Sequence, residues 1–538
     1  MLRKTVRRYT KKAIKELQKK GKLPGDIKLS GIKVETPTRA GQGDYSVTIA
    51  MQIASQTGRK PKTLAKIIRD ELLENSAATK NFSDINVASP GFINFFISDK
   101  KARSLLWKIF SDEDFGKVNV GKDKKLNIEF GSINPTGQLH VGHARTFFYS
   151  DILANILEFA GYKVTREYYV NNARQSAQIK ELGKTVLGNG TSYKGPYLEK
   201  KIKKYKKSIK RYKNYGPAGH FMAGKIQKDI ETFLAKKAGV EFDKWFEEEE
   251  LYKKGDVSAT MRELKKKGLV YEKDGAIWLK TTKYGDKQDQ VLVRSSGENT
   301  YFMTDIAYHR NKAKRNFDRL IDVWGADHHG HLRRMQAAMR IFNIKNIDIL
   351  IAQFVRLKGG AKLSKRRGNI VTVEDLIDEV GLDAARYFFL TKSLDSQMEF
   401  DLNLAKQQSQ KNPVYYIQYT HARTCSILKK ATTDRDFKKT EITRKDLKAI
   451  EGEGEFKLIN KLILFPEIIE DAARDWQAHR LATYLHELAQ EFNQFYRDYR
   501  VIDKDGFVSK PRLALTIATG MVINKGLELL GIKAPKKM

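Results

Sequence analysis

Hydrophobic and polar positions along the chain follow three different periodicities, which predict three structural regions. Residues 1–98 read as a small α+β unit, with a basic helix, an alternating strand at 45–49, a helix at 64–73 and an apolar strand near 92–97. Residues 120–405 alternate strands with helices, with an insertion at about 180–300, as in a Rossmann-like doubly wound α/β sheet. Residues 410–538 keep a helical period with almost no strand pattern, which predicts an all-α bundle.

A strand, a loop and a helix between residues 126 and 161 give the most informative pattern. Apolar Leu126, Ile128 and Phe130 alternate as in a strand, and the helix that follows is expected to end at Gly161. The connecting loop contains residues that turn or break a chain: Gly131, Asn134, Pro135 and Gly137. At the start of the helix lie His140, Gly142 and His143. Free backbone N–H groups and the positive end of the helix dipole favour phosphate at such a position.

The histidine pair has three interpretations. The two side chains are ordinary cap or turn residues, or they are metal ligands, or they donate hydrogen bonds to the phosphates of a nucleotide. For metal ligation the chain offers a single cysteine, Cys425, and no matching ligand set near the pair. In the third interpretation Gly142 lets a flat base lie against the backbone, and a second, cationic phosphate site is needed elsewhere in the chain.

A basic segment at residues 359–369 is a candidate for that second site. It follows an apolar, strand-like run at 349–355, is flanked by glycines, and carries four cations within the six positions 362–367. Lysine suits a triphosphate because its ammonium group is a compact point charge. The alternative is a solvated basic loop. Together, the two signals favour a nucleotide site more strongly than either does alone.

These residues carry a family resemblance. His140 to His143 resemble the His-Ile-Gly-His motif of class I aminoacyl-tRNA synthetases, and residues 362–366 resemble their Lys-Met-Ser-Lys-Ser loop. Further stretches resemble arginyl-tRNA synthetases, namely residues 43–45, 89–94, 134–137, 322–331, 415–423 and 530–538. The departures from the family pattern are Ile133, Leu363, Arg366 and Ala385. Both lysines of the loop, Lys362 and Lys365, are present.

The resemblance implies an arginine–tRNA ligase that uses ATP with Mg²⁺, charges tRNA(Arg) and activates arginine only with tRNA bound. It also implies that the N-terminal region contacts the corner of the tRNA and that the helical bundle binds the anticodon. The implied catalytic residues are His140, His143, Lys362 and Lys365. The implied ATP-binding residues are Gly137, His140, Gly142, His143, Lys362, Ser364 and Lys365.

Arginine selection requires carboxylates, because only they pair with a planar guanidinium through fork-like hydrogen bonds. The implied arginine-binding residues are Glu129, Asn134, Tyr301, Asp305 and His329, or its neighbour His328. The spacing of Tyr301 and Asp305 places both on one face of a helical turn. From spacing alone, a helix-cap or surface carboxylate is the preferred interpretation of Asp305. Glu129, a charge within an apolar strand, needs a partner because burying a lone charge is costly.

Composition and charge limit the classes of partner that the chain is expected to bind. The chain has 538 residues, a net charge of +36 and a pI of about 9.8, which predicts a polyanionic partner. A membrane would also be polyanionic, but no apolar run approaches the roughly 18 residues needed to span a bilayer. The single cysteine fits a reducing cytoplasm, and the basic start at 1–9 lacks the apolar core of a secretory signal. We expect a cytoplasmic monomer, with a mitochondrial presequence as the alternative for so basic a start.

A stretch rich in lysine and tyrosine at residues 194–215 is either a solvated, partly disordered insertion or a flank for an RNA backbone with tyrosines for stacking. Two other functions compete for the whole chain. One is a non-catalytic RNA-binding protein derived from a synthetase, and the other is a nucleotidyltransferase of the same sheet architecture that acts on a small molecule.

Overall fold

The structure is a computed structural model, and it describes residues 1–27, 29, 31–37, 41–358, 371–434, 438 and 441–538. The basic segment with Lys362, Ser364 and Lys365 lies outside the described residues.

The N-terminal unit packs helices on one four-stranded antiparallel sheet of order β1-β2-β4-β3. Its elements are α1 Leu2–Lys19, β1 Val34–Glu35, β2 Tyr45–Val47, α2 Ile49–Thr57, α3 Pro61–Leu73, α4 Ser76–Asn81, β3 Phe82–Ala88 and β4 Phe92–Ile97, and α5 Asp99–Ser111 follows. The strand expected at 45–49 is shorter than predicted, because the chain enters α2 at Ile49. Helix α1 buries Val6 and Ile14, and its Arg3 pairs with Asp471 of the C-terminal region at 2.6 Å.

The central region is built on a parallel five-stranded sheet of order β12-β11-β5-β6-β7. Its first half contains β5 Lys125–Glu129, α6 Val141–Phe159, β6 Lys163–Val170, α7 Ala177–Val186, α8 Pro196–Lys204, α9 Lys206–Ile209, α10 Tyr215–Phe233 and β7 Lys244–Glu247. The middle strand β5 buries Leu126 and Ile128 completely, as their alternation predicts. Gly161 follows α6 with a positive φ of 87°, which suits a residue without a side chain.

The second half of the central region returns to the sheet after a small antiparallel sheet of order β10-β9-β8. It contains α11 Glu248–Lys253, α12 Asp256–Lys266, β8 Val270–Lys273, β9 Ala276–Leu279, β10 Gln290–Val293, α13 Tyr301–Ala313, β11 Arg319–Gly325, α14 His329–Ile341 and β12 Ile347–Ala352. A two-stranded parallel sheet with short helices follows, formed by β13 Val355–Leu357, α15 Val373–Val380, α16 Leu382–Phe388, β14 Met398–Phe400 and α17 Leu402–Ala405. The apolar run at 349–355 is therefore divided between β12 and β13.

The stretch at 194–215 is folded into α8, α9 and the loops around them. Tyr205 and Tyr212 pack against Phe221 of α10, with ring centroids 5.9 and 5.4 Å apart. The hydroxyl of Tyr197 donates to Asp229 at 2.9 Å. Three of the interleaved tyrosines thus hold the segment to the protein, while Tyr193 and Tyr215 are exposed.

The C-terminal region is a helical bundle of α18 Pro413–Asp434, α19 Glu453–Ile463, α20 Phe465–Asp475, α21 His479–Asp498 and α22 Lys510–Leu529. Buried Arg386 connects this bundle to the central region, because it pairs with Asp151 of α6 and donates to the carbonyl of Leu530 at 2.9 Å. The architecture confirms the predicted multidomain α/β fold with an N-terminal α+β unit and a helical C-terminal region. None of the helices in the described ranges is long and apolar enough to cross a membrane.

Candidate active site

A cavity of about 1040 Å³ opens at the carboxyl ends of β5, β11 and β12. Ligands of doubly wound sheets bind at this edge, because the loops that leave the strands there form a crevice. The cavity wall includes six of the residues singled out from the sequence, namely Asn134, Gly137, His140, Gly142, His143 and His328. Residues 193–198 of the lysine- and tyrosine-rich stretch line another part of the wall.

The two histidines stand at the N-terminus of α6 with their ring centroids 3.5 Å apart. Burial lowers the pKa of His140, and burial together with the neighbouring His140 lowers the pKa of His143 to about 3. Both rings are therefore neutral at physiological pH. The backbone N–H of His140 donates to Nδ1 of His143 at 3.2 Å, so the ring proton of His143 resides on Nε2, where it can be donated.

Gly142 lies close to the ring of His140. A Cβ atom there would approach this ring to 3.0 Å, closer than nearly all real contacts of a Cβ. The absence of a side chain at this position thus leaves room for the His140 ring beside the first turn of α6. At Gly137 a Cβ would meet nothing within 4 Å, so the structure gives no steric reason for glycine at that position.

The described residues on both sides of the basic segment lie at the cavity. Before the segment, Phe354 and Val355 line the wall. After it, the carbonyl of Val371 accepts from the N–H of Val141 at 3.0 Å, and the N–H of Val373 donates to Leu139 at 2.9 Å. Described residues on both sides of the two lysines thus lie at the cavity, and those after the lysines lie beside the two histidines.

Glu129 ends β5 below the loop that carries Asn134, and its side chain is almost completely buried. The hydroxyl of Ser132 donates to its carboxylate, and Nζ of Lys312 lies 3.4 Å from it. Burial raises the pKa of Glu129, whereas the charge of Lys312 lowers it. The partner that this buried charge requires is thus Lys312, a residue of α13 far along the chain.

Tyr301 and Asp305 occupy the first turns of α13, so their four-residue spacing does place them on one helix. Tyr301 is exposed, and the side chain of Asp305 is 27% exposed. They lie outside the wall of the large cavity. Tyr301 instead lines a second, small cleft with Glu248, a buried residue whose pKa burial raises to about 7.

Asp305 is held by a histidine of α14. Nε2 of His331 lies 2.7 Å from Oδ2 of Asp305, and Nε of Arg334 donates to Nδ1 of His331. Because Nδ1 accepts, the proton of a neutral His331 is on Nε2; this atom lies close to the carboxylate of Asp305, but the contact does not have the geometry of a hydrogen bond. Of the two histidines considered for arginine, His328 lines the cavity, whereas His329 opens α14 with an exposed side chain and is absent from the cavity wall.

Comparison with known proteins agrees with this geometry. Three family models match the chain: an arginyl-tRNA synthetase N-terminal domain over residues 4–97, a class I (R) tRNA synthetase catalytic domain over 106–214 and 199–423, and a DALR anticodon binding domain over 417–538. The arginine–tRNA ligase of Desulforamulus reducens is 39% identical over 536 residues, which cover 95% of this chain and 94% of that protein. The chain belongs to the arginyl-tRNA synthetases.

Other relatives agree. The arginine–tRNA ligase of Caldanaerobacter subterraneus is 40% identical and covers 98% of this chain and 97% of its own. Arginyl-tRNA synthetase structures from Thermus thermophilus and Plasmodium falciparum superpose with TM-scores of 0.77 and 0.78 at 20% identity. Each match covers all of this chain, with 100% and 99% of the respective structures, and shows the shared fold.

The sequence patterns did not single out three side chains that lie beside the candidate arginine-binding residues of this arginyl-tRNA synthetase: His331, Lys312 and Glu248. A signal for two of them was present. His331 lies in the stretch 322–331 that resembles the family, and Lys312 stands seven residues after Asp305, which places both on one face of a helix. Glu248 lies in a run of four acidic residues at 247–250, where nothing in the sequence separates a buried carboxylate from its neighbours.

Proposed function

We propose that this arginyl-tRNA synthetase activates L-arginine with ATP to arginyl-adenylate and transfers the arginyl group to the 3′-terminal ribose of tRNA(Arg). AMP and diphosphate are released. The observation that carries the proposal is the pair of neutral histidines at the N-terminus of α6, in a cavity beside both ends of a segment with two lysines. The full-length relatives named arginine–tRNA ligases support the choice of amino acid.

In the first step the arginine carboxylate attacks the α-phosphate of ATP and pyrophosphate leaves. The protein forms no covalent bond; it positions the substrates and stabilises the charge that develops. The Nε2–H of His143, the ring of His140 and the N–H groups of α6 donate to the phosphates. Lys365, supported by Lys362, follows the charge that moves to the leaving pyrophosphate.

The amino acid extends from the cavity towards α13. Asp305 and Glu129 accept hydrogen bonds from the guanidinium, and Tyr301 stacks on its plane. Asn134 and His328, both in the cavity wall, contact the α-amino and α-carboxylate ends. A carboxylate held by His331 and an aromatic ring distinguish the planar guanidinium of arginine from the ammonium of lysine.

Mg²⁺ would be carried by ATP itself, because this ion is commonly bound through substrate phosphates and water with few protein ligands. Within the described residues no group of three or more His, Cys, Asp or Glu side chains could hold a metal ion. When bound, the ion would supply positive charge to the triphosphate, while His140, His143 and the two lysines orient the phosphates.

We assign residues 1–98 to contact with the tRNA corner, 120–405 to catalysis and 410–538 to the anticodon. The net charge of +36 supports a partner with a phosphate backbone. We propose that the enzyme works as a monomer in the cytoplasm, where its tRNA is found. No observation favours a non-catalytic RNA-binding protein or a small-molecule nucleotidyltransferase.

The test is aminoacylation of transcribed tRNA with radiolabelled arginine. We expect arginine to be attached to tRNA(Arg) and not to a transcript of tRNA(Lys), and a His143→Ala variant to charge tRNA(Arg) about 10²–10³ times more slowly, the loss typical for one preorganised donor. Tight tRNA binding with no attachment of arginine would favour the RNA-binding protein and overturn the proposal.

A further inference from the structure

Three carboxylates form a row across the middle of the parallel sheet. Asp322 of β11 pairs in register with Glu129 of β5, which pairs in register with Glu167 of β6. Residues that pair in register on parallel strands point to the same face of the sheet. All three side chains are almost completely buried, so each charge needs a counter-charge.

The counter-charges come from the end of α13 and the turn after it. Arg315 donates to both oxygens of Glu167, at 2.8 and 2.7 Å. Lys312 has no exposed side-chain surface and lies between the other two carboxylates, 2.6 Å from Asp322 and 3.4 Å from Glu129. Asp322 has a second partner, because Nε2 of His309 lies 2.7 Å away.

Of the three carboxylates, Glu129 is the one with the weakest cationic partner. Asp322 receives both Lys312 and His309, and these outweigh the effect of burial and lower its pKa. Glu129 has the longer of the two contacts of Lys312, together with the hydroxyl of Ser132. Burial therefore dominates, and the pKa of Glu129 is raised. A further cation beside Glu129 would give each of the three carboxylates a close positive partner.

We propose that Lys312 is a positioning residue for arginine recognition, which keeps the buried Glu129 carboxylate ionised and directed at the guanidinium of the substrate. This inference rests on the proposed function, in which Glu129 accepts from the guanidinium. Lys312 acts through Glu129, since its completely buried ammonium group has no surface to offer a ligand. The guanidinium is the cation that completes the row.

The charge on Glu129 depends on every group that faces it. These groups are Ser132 of its loop, His309, Lys312 and Tyr308 of α13, Asp322 of β11, and Glu167, Tyr168 and Tyr169 of β6. Removing the positive charge of Lys312 makes ionisation of Glu129 harder, and removing the negative charge of Asp322 makes it easier. The two changes should therefore move the pH dependence of arginine binding in opposite directions.

The experiment measures the KM for arginine and for ATP against pH, by pyrophosphate exchange in the presence of tRNA. For Lys312→Met we expect the arginine KM near neutral pH to rise about 10- to 100-fold, which corresponds to one to two pKa units. Most of this loss in arginine affinity should be regained at about pH 9, where Glu129 is ionised again even with its pKa raised further by the substitution. The KM for ATP should hardly change. Lys314→Met, at an exposed lysine next to α13, is the matched control and should behave as wild type.

Asp322→Asn is the second variant and decides the matter if Lys312→Met does not fold. It leaves Glu129 as the carboxylate nearest to Lys312, so the midpoint of the arginine KM profile should move to lower pH. A merely structural network would move neither midpoint, or would raise both KM values together in both variants.

An unmoved or raised midpoint in Asp322→Asn overturns the inference, as does a Lys312→Met profile parallel to wild type. These outcomes leave the proposed function intact if wild-type protein shows arginine-dependent exchange. Absence of that exchange in the wild type would count against the function itself.

Discussion

Replacing Asp305 by asparagine isolates the charge that selects arginine while keeping the size of the side chain. One oxygen, Oδ2, lies 2.7 Å from Nε2 of His331, and we expect Oδ1 to accept from the guanidinium. A hydrogen bond to a charged group contributes about 1.5–3 kcal/mol. The carboxylate is only 27% exposed, so solvent screens little of this energy. We therefore expect the KM for arginine to rise about 10- to 150-fold.

The assay is pyrophosphate exchange with tRNA present, at varied arginine and then at varied ATP. The KM for ATP should stay within about twofold, because Asp305 lies outside the large cavity wall. The control is Asp378→Asn on α15, which removes a surface ion pair with Lys237 and should have little effect on either KM. An unchanged arginine KM in Asp305→Asn, or an equal rise for both substrates, would refute the assignment of the guanidinium site.

Three further predictions concern other parts of the molecule. Lys365→Ala should lower kcat about 10²–10³-fold in aminoacylation with little change in the arginine KM; full turnover in this variant with loss in Lys362→Ala would move the role to Lys362. Affinity for tRNA, measured by filter binding, should fall steeply with salt, and glutamine at Lys203 and Lys207 should flatten that slope; a salt-independent affinity contradicts it. Arg386→Met should lower the free energy of unfolding by about 3 kcal/mol in urea titrations, since it leaves buried Asp151 with only the more distant Arg166, 3.8 Å away; an unchanged urea midpoint would show that this connection contributes little.

Sequence periodicity predicted the fold where burial alone decides it. Leu126 and Ile128 are buried because β5 is the middle strand of the sheet, although the polar Asn127 and Glu129 of the same strand are buried too. The helix before Gly161 follows from its own helical spacing of apolar residues. Periodicity is less informative where tertiary packing decides. Composition left 194–215 as either a solvated insertion or a flank for an RNA backbone, and the packing of Tyr205 and Tyr212 against Phe221 is a contact that no local pattern encodes.

The candidate site also contains a part that the sequence predicts and a part that it does not. Asn134, His140 and His143 lie together in the cavity wall because one short loop carries them, and short sequence separation makes such groups predictable. The contacts of Asp305 with His331 and of Glu129 with Lys312 join different helices and strands. Their partners depend on how α13 and α14 pack on the sheet, which single-sequence patterns do not specify.

The most direct test of the central claim is pyrophosphate exchange with each of the twenty amino acids, with and without tRNA(Arg). We expect exchange with arginine, dependent on added tRNA, and lysine activity lower by roughly 10⁴–10⁵, because a site built to hydrogen-bond one group rejects a substrate without it. Comparable exchange with lysine and arginine, or none with any amino acid when tRNA is present, would contradict it.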